Sequence, residues 1–478
     1  MIGEYVALEG WLFFRHISAL LKEGQIMTTK NRRVGAVTLL ICAACNLAGA
    51  QIVRAGDLNP PVGPIAPTLK TLVEVEPRIA LNAINTPGDS DSLFKITQPG
   101  SYYLTGNITG VSGKHGIEIA ASGVTLDLCG FGIAGVPAMG SFDGVNVGVS
   151  GLVNIAVVNG TVRNWGDEGI DLSVNGATNC RVVDLLVSGN AGGGIMVDTS
   201  STVLNCSAFS NATNGISTRA GCIVSHCRAY QNGSSGIDTN DGCLVSNCTA
   251  NTNISHGISV RFGSAIVDCS ARSNTGIGIV SDVGGTIANC TAYSNSGDGI
   301  FVSSGSSITN CSAFQNGDSG INVSSGTGNM GCAITNCSAY GNTGTGISGS
   351  SGSTVLNCSA YDNTESGITV VGGSTVADCA SQFNNVDGIT CSTDCVIRSN
   401  ACASNGSGGD GAGIHAFSND NRIEGNNCIG GDRGIQVDVA GNFIIRNSCS
   451  GATIDWVIAA HNVFGPIIDR RAPANAAV

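Results

Sequence analysis

Two rows of residues carry the groups with which this chain could do chemistry. Asp198, Arg219, Asn240, Arg261 and Asp282 follow one another every 21 residues, and Asp238 lies two places before Asn240. Phe209, Tyr230, Asn251, Arg272, Tyr293 and Phe314 keep the same spacing, and Tyr340 and Tyr361 extend that row. Alternating carboxylates and guanidinium groups make either a polar binding face or a surface ladder whose pairs contribute roughly 0–1 kcal/mol each. A row of exposed rings, with Tyr293, Phe314, Tyr340 and Tyr361 as its longest run, can stack on sugar rings or merely seal one flank of a repeat. His256 stands at the adjacent corner, beside the units where Asn251 and Arg272 interrupt the rings.

Rows of this kind need a periodic scaffold. Ser201 to Gly221 reads STVLNCSAFSNATNGISTRAG, and the next 21 residues repeat it as CIVSHCRAYQNGSSGIDTNDG. Aligning on Gly-Ile gives Gly169, Gly194, Gly215, Gly236, Gly257, Gly278, Gly299, Gly320, Gly346, Gly367, Gly388, Gly413 and Gly434. Three intervals are longer, at about Ser324 to Gly331, at about Gly406 to Ala412 and before Gly194, and read as loops thrown out from single units.

The apolar parity changes twice within a unit. Val203 points inward and Leu204 outward, then Cys206 and Ala208 point inward, so the alternation slips at Asn205. It slips again at Asn211, before Ile216 and Thr218 point in and Ser217 and Arg219 point out. A slip of one residue marks a corner. Three strands and three corners per unit predict an all-β, parallel β-helix of about fifteen stacked rungs, right-handed by the general preference of parallel crossovers. Stacked Ile195, Ile216, Ile237 and their successors then supply roughly 1.5–3 kcal/mol per buried side chain before chain entropy. Two asparagine lines, through Asn205 and through Asn211, suit tight corners and can bond to the copies above and below.

The net charge is −12 and no basic stripe is visible, which argues against a nucleic-acid partner. Of the 21 cysteines, Cys206, Cys227, Cys248, Cys269, Cys290, Cys311, Cys337, Cys358 and Cys379 share one inward slot. This predicts a column of small buried thiols rather than disulfides, with Cys222 and Cys243 at another corner as the one pair placed to bond. In the last rungs Asn400, Asn426 and Asn447 take the column's slot.

Residues 1–50 read as an upstream extension and a secretory signal, with Met27 as the expected start, an apolar run from Val34 and a small-residue site at Ala48 to Ala50. That predicts an exported protein without a membrane span in its mature chain. Residues 51–95 read as a linker and cap, 96–468 as the β-helix, and 469–478 as a tail.

The rungs, together with GVTLDLCGFGIAG (Gly123 to Gly135), NRIEGNNC (Asn421 to Cys428) and NFIIRNSC (Asn442 to Cys449), make the chain similar to the right-handed parallel β-helix superfamily that includes pectate lyases and polygalacturonases. It most resembles exported bacterial β-helix-repeat proteins of unassigned activity. In lyase-like sites acidic residues hold Ca²⁺ against a uronate and an Arg removes the proton. The resemblance therefore implies Ca²⁺ as the cofactor, Asp198, Asp238, Asn240 and Asp282 as substrate-binding residues, and Arg219, Arg261 or His256 as catalytic ones. The segment Ser255 to Ser259 looks like the polygalacturonase His-Gly segment, but that family's Asp-Asp pair occurs nowhere, and hydrolysis needs a carboxylate pair. The reading at this point is a protein that binds polysaccharide or surface glycan along a side face, with a Ca²⁺-dependent lyase and an adhesive spine as alternatives.

Overall fold

In the computed structural model, residues 76–324 and 331–465 are described. The expected signal, most of the linker and the tail lie outside them, as does most of the longest insertion. The unit Ser201 to Gly221 forms three strands, Thr202–Leu204, Ser207–Phe209 and Ile216–Thr218. Each pairs in parallel with its copy in the next unit, Val203 with Val224, Ala208 with Ala229 and Ile216 with Ile237. Val203, Ala208 and Ile216 are fully buried. Constant unit length keeps like side chains on like, so the core is a stack of identical columns.

The corners follow one rule. A left-handed residue comes first: Asn205 at φ 54°, Ser210 at φ 53° and Gly221 at φ 67°. The residue after it turns inward, and its N–H, swung out of the strand ladder, needs an acceptor. The copy in the next rung supplies one at all three corners of this unit. Cys206 N–H donates to Cys227 Sγ (3.5 Å), Asn211 N–H to Asn232 Oδ1 (3.2 Å) and Cys222 N–H to Cys243 Sγ (3.3 Å). Asn232 Nδ2 in turn donates to Asn253 Oδ1 at 3.0 Å and to the Ala208 carbonyl at 3.1 Å.

Two expectations are corrected by this rule. The second parity slip falls at Ser210, not Asn211, because Asn211 is the buried ladder residue rather than the left-handed one. The cysteine column is a hydrogen-bonding ladder as well as a packing one, and this explains its replacement by asparagine. Cys379 N–H donates to Asn400 Oδ1, Asn400 N–H to Asn426 Oδ1 and Asn426 N–H to Asn447 Oδ1, each at 2.9 Å. Sulfur and amide oxygen do the same job.

All nineteen described cysteines are free. The expected Cys222–Cys243 disulfide is absent, because the sulfurs bond instead to the Asp198 and Arg219 carbonyls, at 3.1 Å each. Burial pushes the Cys180, Cys332 and Cys395 thiols up, so these groups stay protonated.

The Gly of each Gly-Ile has a steric reason. A Cβ on Gly215 would stand 2.6 Å from both Asn232 Nδ2 and the Gly236 carbonyl. Third strands number seventeen among the described residues, against about fifteen rungs expected from the repeat. The four beyond the Gly-Ile series are Ser92–Ile96, His115–Ile119, Val145–Val147 and Ile454–Ile458. Further upstream, Ile79 pairs with Tyr102. No helix among the described residues is long and apolar enough to cross a membrane.

Candidate functional site

The second strands carry the aromatic row outward. Phe209 and Tyr230 stack with centroids 4.8 Å apart at 0°. Tyr293, Phe314 and Tyr340 form a second stack at 4.8 and 4.7 Å. Register pairing puts rings one rung apart, so each covers its neighbour's face. Phe314, capped on both sides, offers only its edge. Tyr361 instead meets Phe383 edge-on at 5.5 Å.

Between the stacks, Asn251 and Arg272 replace two rings, and a groove of about 530 Å³ opens. Arg228, Tyr230, Asn251, Arg272 and Tyr293 line it, with Thr249 and Ser270 as its small floor residues. Three rung spacings separate Tyr230 from Tyr293, about 14 Å. Tyr230 has a ring beside it only on the Phe209 side and presents its other face to the groove. Arg272 Nη1 donates to Tyr293 Oη at 3.5 Å, and neither Arg228 nor Arg272 has a carboxylate partner among the described residues. Of these groove residues the sequence reading singled out Tyr293 alone as a binding residue. Tyr230, Arg228 and Arg272 become significant only once the gap is seen as a slot.

The third-strand face is shallower. Met196, Ser217, Arg219, Asp238 and Asn240 line a groove of about 220 Å³. Arg261 and Asp282 pair at 3.8 Å, the guanidinium exposed and the carboxylate half-buried. Burial raises the Asp238 carboxyl. His256 sits at the corner slot before Gly257, where its Nδ1 accepts the Ile277 N–H at 3.1 Å, and burial lowers its pKa. Asp198 and Asp282 lie four rungs apart, about 19 Å, with Asp238 in a neighbouring row. One ion cannot bridge that span, so the expected Ca²⁺ set is not assembled there.

Carboxylates do converge elsewhere. Among the described residues two sets of three have oxygens within 4.8 Å of one another: Asp89, Asp91 and Glu118, and Asp143, Asp167 and Glu168. The first has Lys95, whose Nζ is 2.7 Å from both Asp89 and Glu118. The second belongs to a recurring corner in which Asp precedes the third-strand Gly. At Asp143, Asp298 and Asp387, Oδ1 accepts the N–H of the equivalent residue one rung on, from Glu168 (3.0 Å), Ser319 (3.0 Å) and Ala412 (2.7 Å).

The other oxygen depends on the outward residue of that next rung. Asp298 Oδ2 accepts from Asn322 Nδ2 at 3.0 Å. Asp387 Oδ2 meets His415 Nδ1 at 3.1 Å, and His415 Nε2 meets Asp438 Oδ2 at 2.9 Å. The bond to buried Asp387 lifts His415 to about 9, against a smaller opposing effect of burial. At Asp143 the corresponding residue is Asp171. Burial, then the charges of Asp171 and Glu168, push Asp143 up to about 8. Burial and the bond to Asp167 push Glu168 to about 7. In the sequence the Asp-Gly pairs at Asp298 and Asp387 read as turns first and Ca²⁺ ligands second, and the partners they meet were hidden because each lies one rung away.

Residues 115–275 and 266–448 match the family model for the right handed beta helix region, and the chain belongs to that family. No curated protein matches it. Similar solved structures include the mannuronan C-5 epimerase A-module of Azotobacter vinelandii, at 15% identity over 77% of this chain and 91% of that one, with a TM-score of 0.32. A pectate lyase aligns at 17% identity over 60% of this chain and 78% of its own, TM-score 0.38. The tailspike of E. coli bacteriophage HK620, in complex with a pentasaccharide, aligns at 13% identity over 76% and 79%, TM-score 0.36.

Proposed function

We propose that this is an exported protein that binds polysaccharide along the face of its second strands, with the slot between Tyr230 and Tyr293 as the principal contact. The interruption of the ring stack carries the reading. A continuous stack would bury its own faces, whereas this one ends on Tyr230 and leaves a platform facing a slot. Sugar faces pack on such a platform, and Arg228 and Arg272 stand ready to bond hydroxyl or acidic substituents in a planar, two-pronged manner.

Binding to a panel of neutral and acidic polysaccharides, followed by calorimetry, tests this. Tyr230→Ala and Arg272→Ala are each expected to weaken the best ligand about tenfold, equivalent to ~1.4 kcal/mol, while Tyr361→Ala outside the slot changes little. Absence of binding to every member of the panel, or equal loss from Tyr361→Ala, refutes the reading.

A further inference from the structure

One ridge of the coil departs from its own repeat. The corner after the third strand carries the column Thr199, Ala220, Asp241, Phe262, Val283 and Ser304. Backbone bonds join it rung to rung, as from Gly242 N–H to the Phe262 carbonyl (2.9 Å) and from Gly263 N–H to the Val283 carbonyl (3.0 Å). Beside it the first strands open with Thr202, Ile223, Leu244, Ala265, Thr286 and Ser307, paired in register. Most members of both columns are small or polar, as outward positions of a coil allow. Ile223, Leu244, Phe262 and Val283 are neither, and they are 43%, 36%, 55% and 43% exposed. The four fall on four successive rungs, and the core gains nothing from them. A contiguous apolar patch on an otherwise polar flank marks a surface made to be covered.

The same four rungs indicate what covers it. Along the other edge of the ridge run Arg219, Asn240, Arg261 and Asp282, each the residue after a third strand. A second copy can be turned end for end about a two-fold axis that passes between the rungs of Asn240 and Arg261. Each column then meets itself in reverse order. Arg219 faces the partner's Asp282, and Asn240 faces the partner's Arg261. Leu244 falls on the partner's Ala265, Ile223 on the partner's Thr286 and Val283 on the partner's Ala220, a large side chain against a small one each time. Phe262 and the partner's Phe262 come one rung apart across the axis, about 4.8 Å. Moving the axis half a rung either way sets an Arg against an Arg. Moving it a full rung toward Asp198 sets Leu244 on the partner's Ile223, large on large.

We propose that this ridge is a homodimer interface, at which two copies pair side by side and antiparallel through Phe262, Leu244 and the contacts of Arg219 with Asp282. The second strands lie across the coil from the ridge, so pairing leaves both glycan slots open and does not depend on them.

Sedimentation velocity of the full chain should show a reversible monomer–dimer equilibrium in the micromolar range, since a narrow patch is smaller than a tight interface. Phe262→Ser should weaken it at least about tenfold. Arg219→Asp alone should weaken it about tenfold, and Arg219→Asp combined with Asp282→Arg should restore it. Within one chain these two positions stand three rungs apart, about 14 Å, so only a partner lets them compensate. Should the double variant fail to fold, the Phe262→Ser comparison decides. A chain that stays monomeric up to about 100 µM, a dimer indifferent to Phe262→Ser, or a folded double variant that does not regain the parent's affinity would overturn the proposal.

Discussion

At Asp143 and at Asp387 the same corner is built twice with opposite electrostatics. Both carboxylates accept the backbone N–H one rung on, and both are buried. At Asp387 the free oxygen meets an imidazole that a second carboxylate also holds. At Asp143 it faces another acid. The backbone half of the corner comes with the coil and does not depend on the neighbour. The other half belongs to whichever side chain the next rung presents, and that one residue turns a closed ion pair into a cluster of like charges.

The largest effect is expected at the closed corner. His415→Ala leaves Asp387 buried without its counter-charge and should destabilise the chain by about 3 kcal/mol at pH 6, measured by urea unfolding. The sign with pH follows from the direction of the shift. A folded pKa of about 9 lies above the ordinary histidine value, so the stabilisation is fully present below about 6.5 and lost as pH rises through 9. Parent and His415→Ala midpoints should therefore converge above pH 9, and a constant gap would show that His415 acts by packing alone.

The same substitution in the two corners should act in opposite directions. Asp387→Asn weakens a charge-assisted bond and should cost about 2 kcal/mol. Asp143→Asn replaces acid–acid repulsion by an amide that can donate to Asp171. At pH 8 it should stabilise by about 1–2 kcal/mol. Near pH 4, below the raised folded values of Asp143 and Glu168, this gain should vanish, since the parent is then already protonated. Destabilisation by Asp143→Asn at pH 8 would break the comparison.

The smallest effect is expected at the neutral copy. Asn322→Asp rebuilds the acid–acid arrangement opposite Asp298 and should destabilise by about 1 kcal/mol at pH 8 but not at pH 4. Denaturant midpoints at the two pH values read this out, and an unchanged midpoint at pH 8 would mean that solvent screens this corner.

Much of the coil was legible in the residues. Val203, Ala208 and Ile216 declare the three inward faces, and Asn205 marks its corner because asparagine tolerates the left-handed backbone. The second corner was misplaced by one residue because its left-handed position carries Ser210, Gln231, Thr252 and even Phe383. No residue type announces it, while the conspicuous Asn211 beside it serves the ladder. The rung count came out about two short, because Ser92, Val145 and Trp456 stand outside the Gly-Ile pattern and Gly116-Ile117 sits amid irregular turns.

The functional features were less legible, and for one reason. Partners at every corner lie a whole rung apart, and insertions shift that distance, so that Asp298 meets Asn322 after 24 residues and Asp387 meets His415 after 28. The charged row from Asp198 to Asp282 was conspicuous because its spacing is perfect, yet perfect spacing sets like positions rung upon rung and keeps its acids apart.

The sequence by itself determined the rung: its length, its inward residues and the side chains that bond corner to corner, because each depends on a pattern repeated within 21 residues. Only the tertiary structure decided which charges meet and where the ring stack opens. Those outcomes depend on the few places where neighbouring rungs differ, and a difference acquires chemistry only when stacking at about 4.8 Å brings its two sides together.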